Sequence, residues 1–253
     1  MVLWTGHSNF ENEELSMAHE VKIHDAQVAI LRELLFHPEA GYAQMQKPTG
    51  LTSDHFNFHI TRLMDLGYVE KVKRGQYKLS PKGKEYSNKL DTDTNTVERQ
   101  PKVAVILAIE NDHGQWLMHQ RKKNPYYGFW GFPTGKVRWG ELITETASRE
   151  LEEETSLHAD FKIAGLYHEI VKSVETGEIL EDKQFFVVNC LNPRGELMVD
   201  FEGGHNEWKF PHELDAIKEK YDSVQIELDI ARGRYKGDEL FLERVTSYDN
   251  TQF

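Results

Sequence analysis

The chain has one cysteine, Cys190, in 253 residues, so no internal disulfide can form, and its twelve histidines show no Cys/His zinc spacing. Long hydrophobic runs are missing too. The longest, VAVILAI from Val103 to Ile109, is far short of the roughly 20 residues a helix needs to cross a bilayer. The first residues, MVLWTGHSNFENEELS, lack the basic-then-apolar order of a secretory signal. These absences leave a cytoplasmic location, with no membrane partner, as the expectation. Positive charge is the scarcer sign, with 30 Lys and Arg against 42 Asp and Glu and a net charge of −12. What the chain does have is apolar mass. A hydrophobic share of 39%, with five Trp, thirteen Phe and ten Tyr, excludes a disordered or low-complexity chain and is enough for real cores.

The length suggests two domains, and the charge is split unevenly. Residues 1–100 hold 12 basic against 14 acidic side chains, whereas residues 101–253 hold 18 against 28. Between the halves, KLDTDTNTVERQP is polar and without apolar periodicity, as a linker is. The expected organisation is a small domain over 20–90, a linker over 91–101 and a larger domain over 102–253.

In the first half, Val28, Leu31, Leu34 and Leu35 recur at helical spacing and Pro38 stops the run. A short helix is expected at 42–46. A third should start at a Thr52/Ser53 cap, bury Phe56, Ile60 and Leu63, and end at Gly67. YVEKVKRGQYKL alternates and turns at Lys73–Gly75, which reads as a hairpin, and Ser80-Pro81 opens a last helix. This order resembles a winged helix-turn-helix domain, in which the third helix reads a DNA groove and the wing meets phosphates. Arg62 to Lys89 carries eight basic residues against Asp65, Glu70 and Glu85. Candidate DNA contacts are His55, His59 and Arg62 on the helix and Lys73 and Arg74 on the wing. The helix face also carries Phe58, which suits a protein contact, so a docking or homodimerisation role stays open beside DNA binding. His55 and His59 lie one turn apart, but no third metal ligand is evident.

The second half holds the most specific signal. From Gly135 to Leu157 there are six glutamates and, after Lys136, only Arg138 and Arg149 as basic groups. On a helix Glu150, Glu153 and Glu154 fall at i, i+3 and i+4, in one wedge of surface. Like charges so placed cost about 0.2–0.5 kcal/mol per pair, which calls for a cation to offset them. Carboxylate oxygens suit Mg²⁺ or Mn²⁺, which commonly take phosphate oxygens as well. Alone, such a triplet is more often a solvated acidic face. Its setting is Gly135, five residues, Glu141, seven residues, then Arg149-Glu150-Leu151-Glu152-Glu153-Glu154 and Leu157. This is similar to the box of the Nudix hydrolases. Two positions depart from it: Ser156 stands where the family has Gly, and Thr134 precedes Gly135 in place of another Gly.

The resemblance implies an α/β fold, the family's α/β/α sandwich with a mixed sheet. KVAVILAIEN, WLMHQRKK, FKIAGLYHEIVKSV and KQFFVVNCLNP are then strands, and ELDAIKEKY and SVQIELDIARGRY closing helices. It implies Mg²⁺-dependent hydrolysis of a phosphoanhydride in a nucleoside diphosphate linked to another group, such as ADP-ribose. Glu150, Glu153, Glu154 and the Gly135 carbonyl would hold metal, and Arg149 and Glu141 would brace the loop. Arg121 and Trp130 are candidate substrate contacts among Arg121–Lys123 and the aromatics Tyr126, Tyr127, Phe129 and Trp130. Glu202 is the candidate general base outside the box, with Glu207 beside it. The alternative is a transcription regulator that senses such a nucleotide and binds DNA through the winged helix.

Overall fold

The computed structural model describes residues 23–91, 93, 96–234, 241–249 and 252. The first three residues of the expected N-terminal domain, 20–22, lie outside them. The chain divides into two units, 1–99 and 100–253.

In the first unit, α1 (Asp25–Phe36) is capped by His24, whose Nδ1 accepts from the Ala26 N–H at 3.1 Å. It stops ahead of Pro38, whose ring disfavours helical backbone at the residue before it; His37 is extended. A short strand, β1 (Ala40–Gly41), leads into α2 (Tyr42–Thr49), longer than its apolar spacing suggested and closed by Gly50 at φ +64°. α3 (Ser53–Asp65) starts after Thr52, whose side chain makes no capping bond, and buries Phe56, Ile60 and Leu63. Strands β2 (Val69–Lys73) and β3 (Gln76–Leu79) form the hairpin, with Gly75 at φ +75° in its turn. β1 pairs with β3, giving the order β1-β3-β2. α4 (Pro81–Ser87) begins where Ser80 Oγ accepts the Gly83 N–H at 2.9 Å. Ile30, Leu31, Met45, Phe56 and Leu63 are fully or nearly fully buried in one core. Each such side chain contributes about 1.5–3 kcal/mol. The expected linker also contains structure, a two-residue ladder of β4 (Leu90–Asp91) and β5 (Thr96–Val97). Leu90 explains it, being buried in the same core.

The second unit runs β6 (Lys102–Ile109), β7 (Trp116–Arg121), β8 (Trp130–Gly131), β9 (Thr134–Lys136), α5 (Ile143–Thr155), β10 (His158–Ser173) and β11 (Ile179–Arg194). It continues with β12 (Asp200–Phe201), β13 (Gly204–Lys209), α6 (Pro211–Leu214), α7 (Val224–Ala231) and β14 (Phe241–Tyr248). One sheet has the order β14-β10-β11-β6-β9 and the other β12-β13-β7-β8. The five-stranded sheet is mixed, with β6 parallel to β11 and antiparallel to β9. The alternation of β6 explains its unbroken apolar run. Val105, Leu107 and Ile109 pack with Ala147 and Leu151 of α5, whereas Ala104, Ile106 and Ala108 pack with Val224 and Leu228 of α7. A strand covered on both faces has no polar side to show.

One expected helix is corrected. ELDAIKEKY is helical only to Leu214. Beyond it the Trp130 N–H donates to Glu219 O (2.9 Å) and the Tyr221 N–H to Trp130 O (3.0 Å), so this backbone bonds to β8 and cannot close helical turns. Among the described residues no helix is long and apolar enough to span a membrane.

Candidate active site

The acidic helix is capped at its start by a side chain and ends in a left-handed residue. At the start, Glu145 Oε2 accepts the Leu142 N–H at 2.9 Å. At the end, Ser156 takes the left-handed conformation (φ +58°) that favours glycine, at the family-glycine position the sequence lacks. Between them Arg149 organises the acids. Its Nε and Nη2 fork onto Glu141 at 2.6 and 2.8 Å, its Nη1 donates to Glu150 Oε1 at 2.6 Å and Glu153 Oε2 at 3.2 Å, and Nη2 reaches Lys136 O at 3.2 Å. Glu141 also accepts from Thr146 Oγ1 (2.7 Å) and the Arg138 N–H (3.1 Å). These bonds, the Arg149 fork foremost, hold its carboxyl down at about 2 and push the Arg149 pKa up. Charge repulsion on the helix is therefore partly offset from within.

Glu150 lies across the backbone of β9. A Cβ on Gly135 would come within 1.9 Å of Glu150 Cγ, so only glycine allows this approach. Glu153 is half exposed and also meets Arg138 at 3.5 Å. Glu154 is different. Burial first, then the charge of Glu150, raise its pKa to about 7, against the opposing pull of Lys123 and Arg121. Those two cations therefore stand near the acidic wedge. Among the described residues no three acids or histidines stand close enough to share one ion in this arrangement, in which Arg149 Nη1 bonds both Glu150 and Glu153.

The other candidates fall around this helix in different ways. Arg121 spends Nε on Lys123 O (2.9 Å) and Pro125 O (2.6 Å) and Nη2 on Asn124 O (3.3 Å), shaping its loop. Trp130 is half-buried, with Lys209 Nζ 4.6 Å from its ring centre and His205 against its edge. Glu202 is exposed in the tight turn between β12 and β13, beside Gly203, where an added Cβ would lie 3.4 Å from Lys123 Nζ. Glu207 pairs with Lys209 at 2.7 Å. In the first unit His55, Arg62, Lys73 and Arg74 are exposed, whereas His59 is half-buried with its ring on His24 at 4.7 Å.

The structure adds two residues that the spacing argument missed. Asn206, 1% exposed on β13, donates to Glu154 O (2.7 Å) and Met198 O (2.9 Å), and its Oδ1 lies 3.1 Å from His119 Nδ1. Because both Asn206 N–H groups are used on carbonyls, Oδ1 accepts and His119 carries its proton on Nδ1. Burial lowers the His119 pKa, consistent with a neutral ring. The pair ties the last turn of α5 to the second sheet. Nothing in the order of residues marks these contacts, since they join positions 87 and 52 apart.

An acid-bearing helix laid against a glycine strand, on the face of a mixed sheet opposite α7, defines the class. The NUDIX domain model matches residues 100–228, half of the chain, and the chain belongs to that family. An ADP-ribose pyrophosphatase from Methanocaldococcus jannaschii is 38% identical over 90 residues, 34% of this chain and 53% of that protein, so the chain spans about half the length of this curated relative. Among solved structures, a mutator MutT protein from Bacillus halodurans is 23% identical with TM-score 0.47, over 60% of this chain and 93% of the other. The NUDIX domain of Shewanella oneidensis NrtR, complexed with ADP ribose, is 17% identical with TM-score 0.47, over 59% and 96%.

Proposed function

We propose that the second unit hydrolyses the phosphoanhydride of a nucleoside diphosphate linked to another group, with ADP-ribose as the leading substrate. The observation that carries this reading is the closure of Glu150 over Gly135, which sets the wedge acids beside an open backbone, braced by Arg149 and Glu141. The ADP-ribose pyrophosphatase relative supports the choice of substrate.

The residues fit a hard divalent cation, Mg²⁺ or Mn²⁺. The donors are carboxylates, and Glu154 is held near neutrality by burial and by Glu150, a surplus of negative charge that a cation relieves. Glu150, Glu153, Glu154 and the Gly135 carbonyl would hold it. Once bound, such an ion polarises the anhydride and makes an attacking water more acidic. Arg149 Nη1 holds Glu150 and Glu153, contacts for which a bound cation would compete, and Arg121 and Lys123 contribute positive charge toward the phosphates. The proton of the attacking water passes to a carboxylate, either in the wedge or at Glu202. Turnover of a panel of ADP-ribose, dinucleotides, sugar nucleotides and nucleoside triphosphates, with and without Mg²⁺, tests the reading; no turnover of any member refutes it.

For the first unit we propose a winged helix-turn-helix module that binds DNA. The observation in favour is the hairpin tip, where Lys71, Lys73 and Arg74 are all exposed and, among the described residues, form no ion pair. The chain would then be a cytoplasmic enzyme or a nucleotide-sensing regulator. Phe58, 68% exposed on α3, supports the competing docking or homodimer role. Retardation of random and genomic DNA at low salt, with and without nucleotide, separates the two.

A further inference from the structure

Among the large apolar side chains exposed in the described residues, Trp139 is the most open, at 88%. It is not on a loose segment. The Glu141 N–H donates to Arg138 O at 3.1 Å, closing a four-residue turn with Gly140 at φ +81° in its third position, where a positive φ is required. The Arg138 N–H returns to Glu141 Oε2, and that carboxylate is held by Arg149 and Thr146. Trp139 is thus presented on a turn bolted to α5. The side chain next to it, Arg138, reaches Glu153 in the acidic wedge. Leu142, 64% exposed, continues the apolar surface.

An indole is costly to leave in water, and when buried it removes about 150–250 Å² of surface. Three of the aromatics before the box are covered. Tyr126 and Phe129 are buried with Tyr221 and Tyr248, and Trp130 is covered by Lys209. Tyr127, 67% exposed, also has an open ring, but its loop is held by Arg121 and by the Gly128 N–H to Arg121 O bond (2.7 Å), not through the carboxylate that anchors the acidic helix.

The geometry points to Trp139 as the stacking platform for the planar base of the nucleotide whose anhydride meets the wedge, an inference that rests on the proposed pyrophosphohydrolase activity. Stacking reads a π-face and not a hydrogen-bonding edge, so it tolerates changes of base. The role is uniform binding, acting on the bound substrate and on the transition state alike.

Steady-state kinetics of the full chain on ADP-ribose are compared for wild type, Trp139→Phe, Trp139→Ala and Tyr127→Ala. Base–aromatic stacking predicts a KM roughly 5- to 150-fold higher in Trp139→Ala, with kcat within about threefold, and most of the loss recovered in Trp139→Phe. Tyr127→Ala is expected to change KM less. In a Glu154→Gln background, titration with ADP-ribose should protect tryptophan emission from acrylamide, and Trp139→Phe should remove more of that protection than Trp130→Phe. An unchanged KM in Trp139→Ala, or a loss confined to kcat, overturns the stacking role while wild-type turnover leaves the proposed activity standing. A wild type that turns over no nucleotide overturns both.

Discussion

Glu153 and Glu154 are neighbours in sequence with the same side chain, yet their replacement by Gln should affect stability differently, only Glu154→Gln raising it, while abolishing the same reaction. Raising a carboxyl from 4.5 to about 7, at about 1.4 kcal/mol per pH unit, means that the ionised Glu154 destabilises the fold by about 3 kcal/mol. The sign follows from the direction. An acid whose folded pKa is raised carries no penalty below its unfolded value, gathers it between that value and about 7, and carries it in full above. Glu154→Gln should therefore stabilise the metal-free protein at pH 8 by up to about 3 kcal/mol, roughly 6–12 °C in Tm for a unit of this size. At pH 4 it should change little. Glu153 instead makes two exposed contacts, with Arg149 at 3.2 Å and Arg138 at 3.5 Å, each worth about 0.2–1 kcal/mol, so Glu153→Gln should be neutral or slightly destabilising.

The assay is thermal and urea denaturation in EDTA at pH 4 and pH 8, alongside turnover in Mg²⁺. Both variants should lose kcat by orders of magnitude. Added Mg²⁺ should narrow the stability gap between wild type and Glu154→Gln, because an ion that binds the folded wild type stabilises it by mass action. A Glu154→Gln protein no more stable than wild type at pH 8, or equally stabilised at pH 4, would refute the account of a buried, repelled carboxyl.

Ser156→Gly should stabilise the second unit by about 0.5–1 kcal/mol, since relief of left-handed strain (φ +58°) exceeds the added chain entropy; a lower midpoint in urea contradicts this. Glu202→Gln should lower kcat with Mn²⁺ affinity unchanged if Glu202 accepts the proton, and wild-type rates across pH return that role to the wedge. His168 bridges Glu243 (2.7 Å) and Asp182 (2.9 Å), contacts that raise its pKa, so its contribution, of the order of 1 kcal/mol, is full below the ordinary histidine value and fades as pH rises through the raised one. The Tm gap between wild type and His168→Ala should accordingly shrink from pH 5.5 to pH 9. Replacing Lys73 and Arg74 by Ala should weaken DNA binding for every sequence and reduce the salt slope by about one per lost phosphate contact; no retardation by wild type at low salt ends the DNA reading.

What could be read in advance depended on how local the cause was. The β6 run, the i, i+3, i+4 acids, Gly67 and Pro38 each act on backbone or surface within a few residues, and each is placed in the structure by that local rule. The box spacing reached further only because Glu141 and Arg149 are joined across two helical turns, a distance a fixed sequence interval can encode. ELDAIKEKY failed because its helical spacing competed with β8, which took up the backbone at Glu219 and Tyr221; no window of sequence contains Trp130 as well. Asn206 and His119 were silent for the same reason, since one buried amide in a strand says nothing about a helix end 52 residues away. The acids were visible and their inequality was not. Glu153 and Glu154 differ only in what surrounds them, and burial, which decides that one carboxyl sits near neutrality while its neighbour pairs with arginines, is a property of the assembled fold. A cation reaching the wedge would offset the charge that burial and Glu150 concentrate at Glu154, the same repulsion that Glu153 relieves through its arginines.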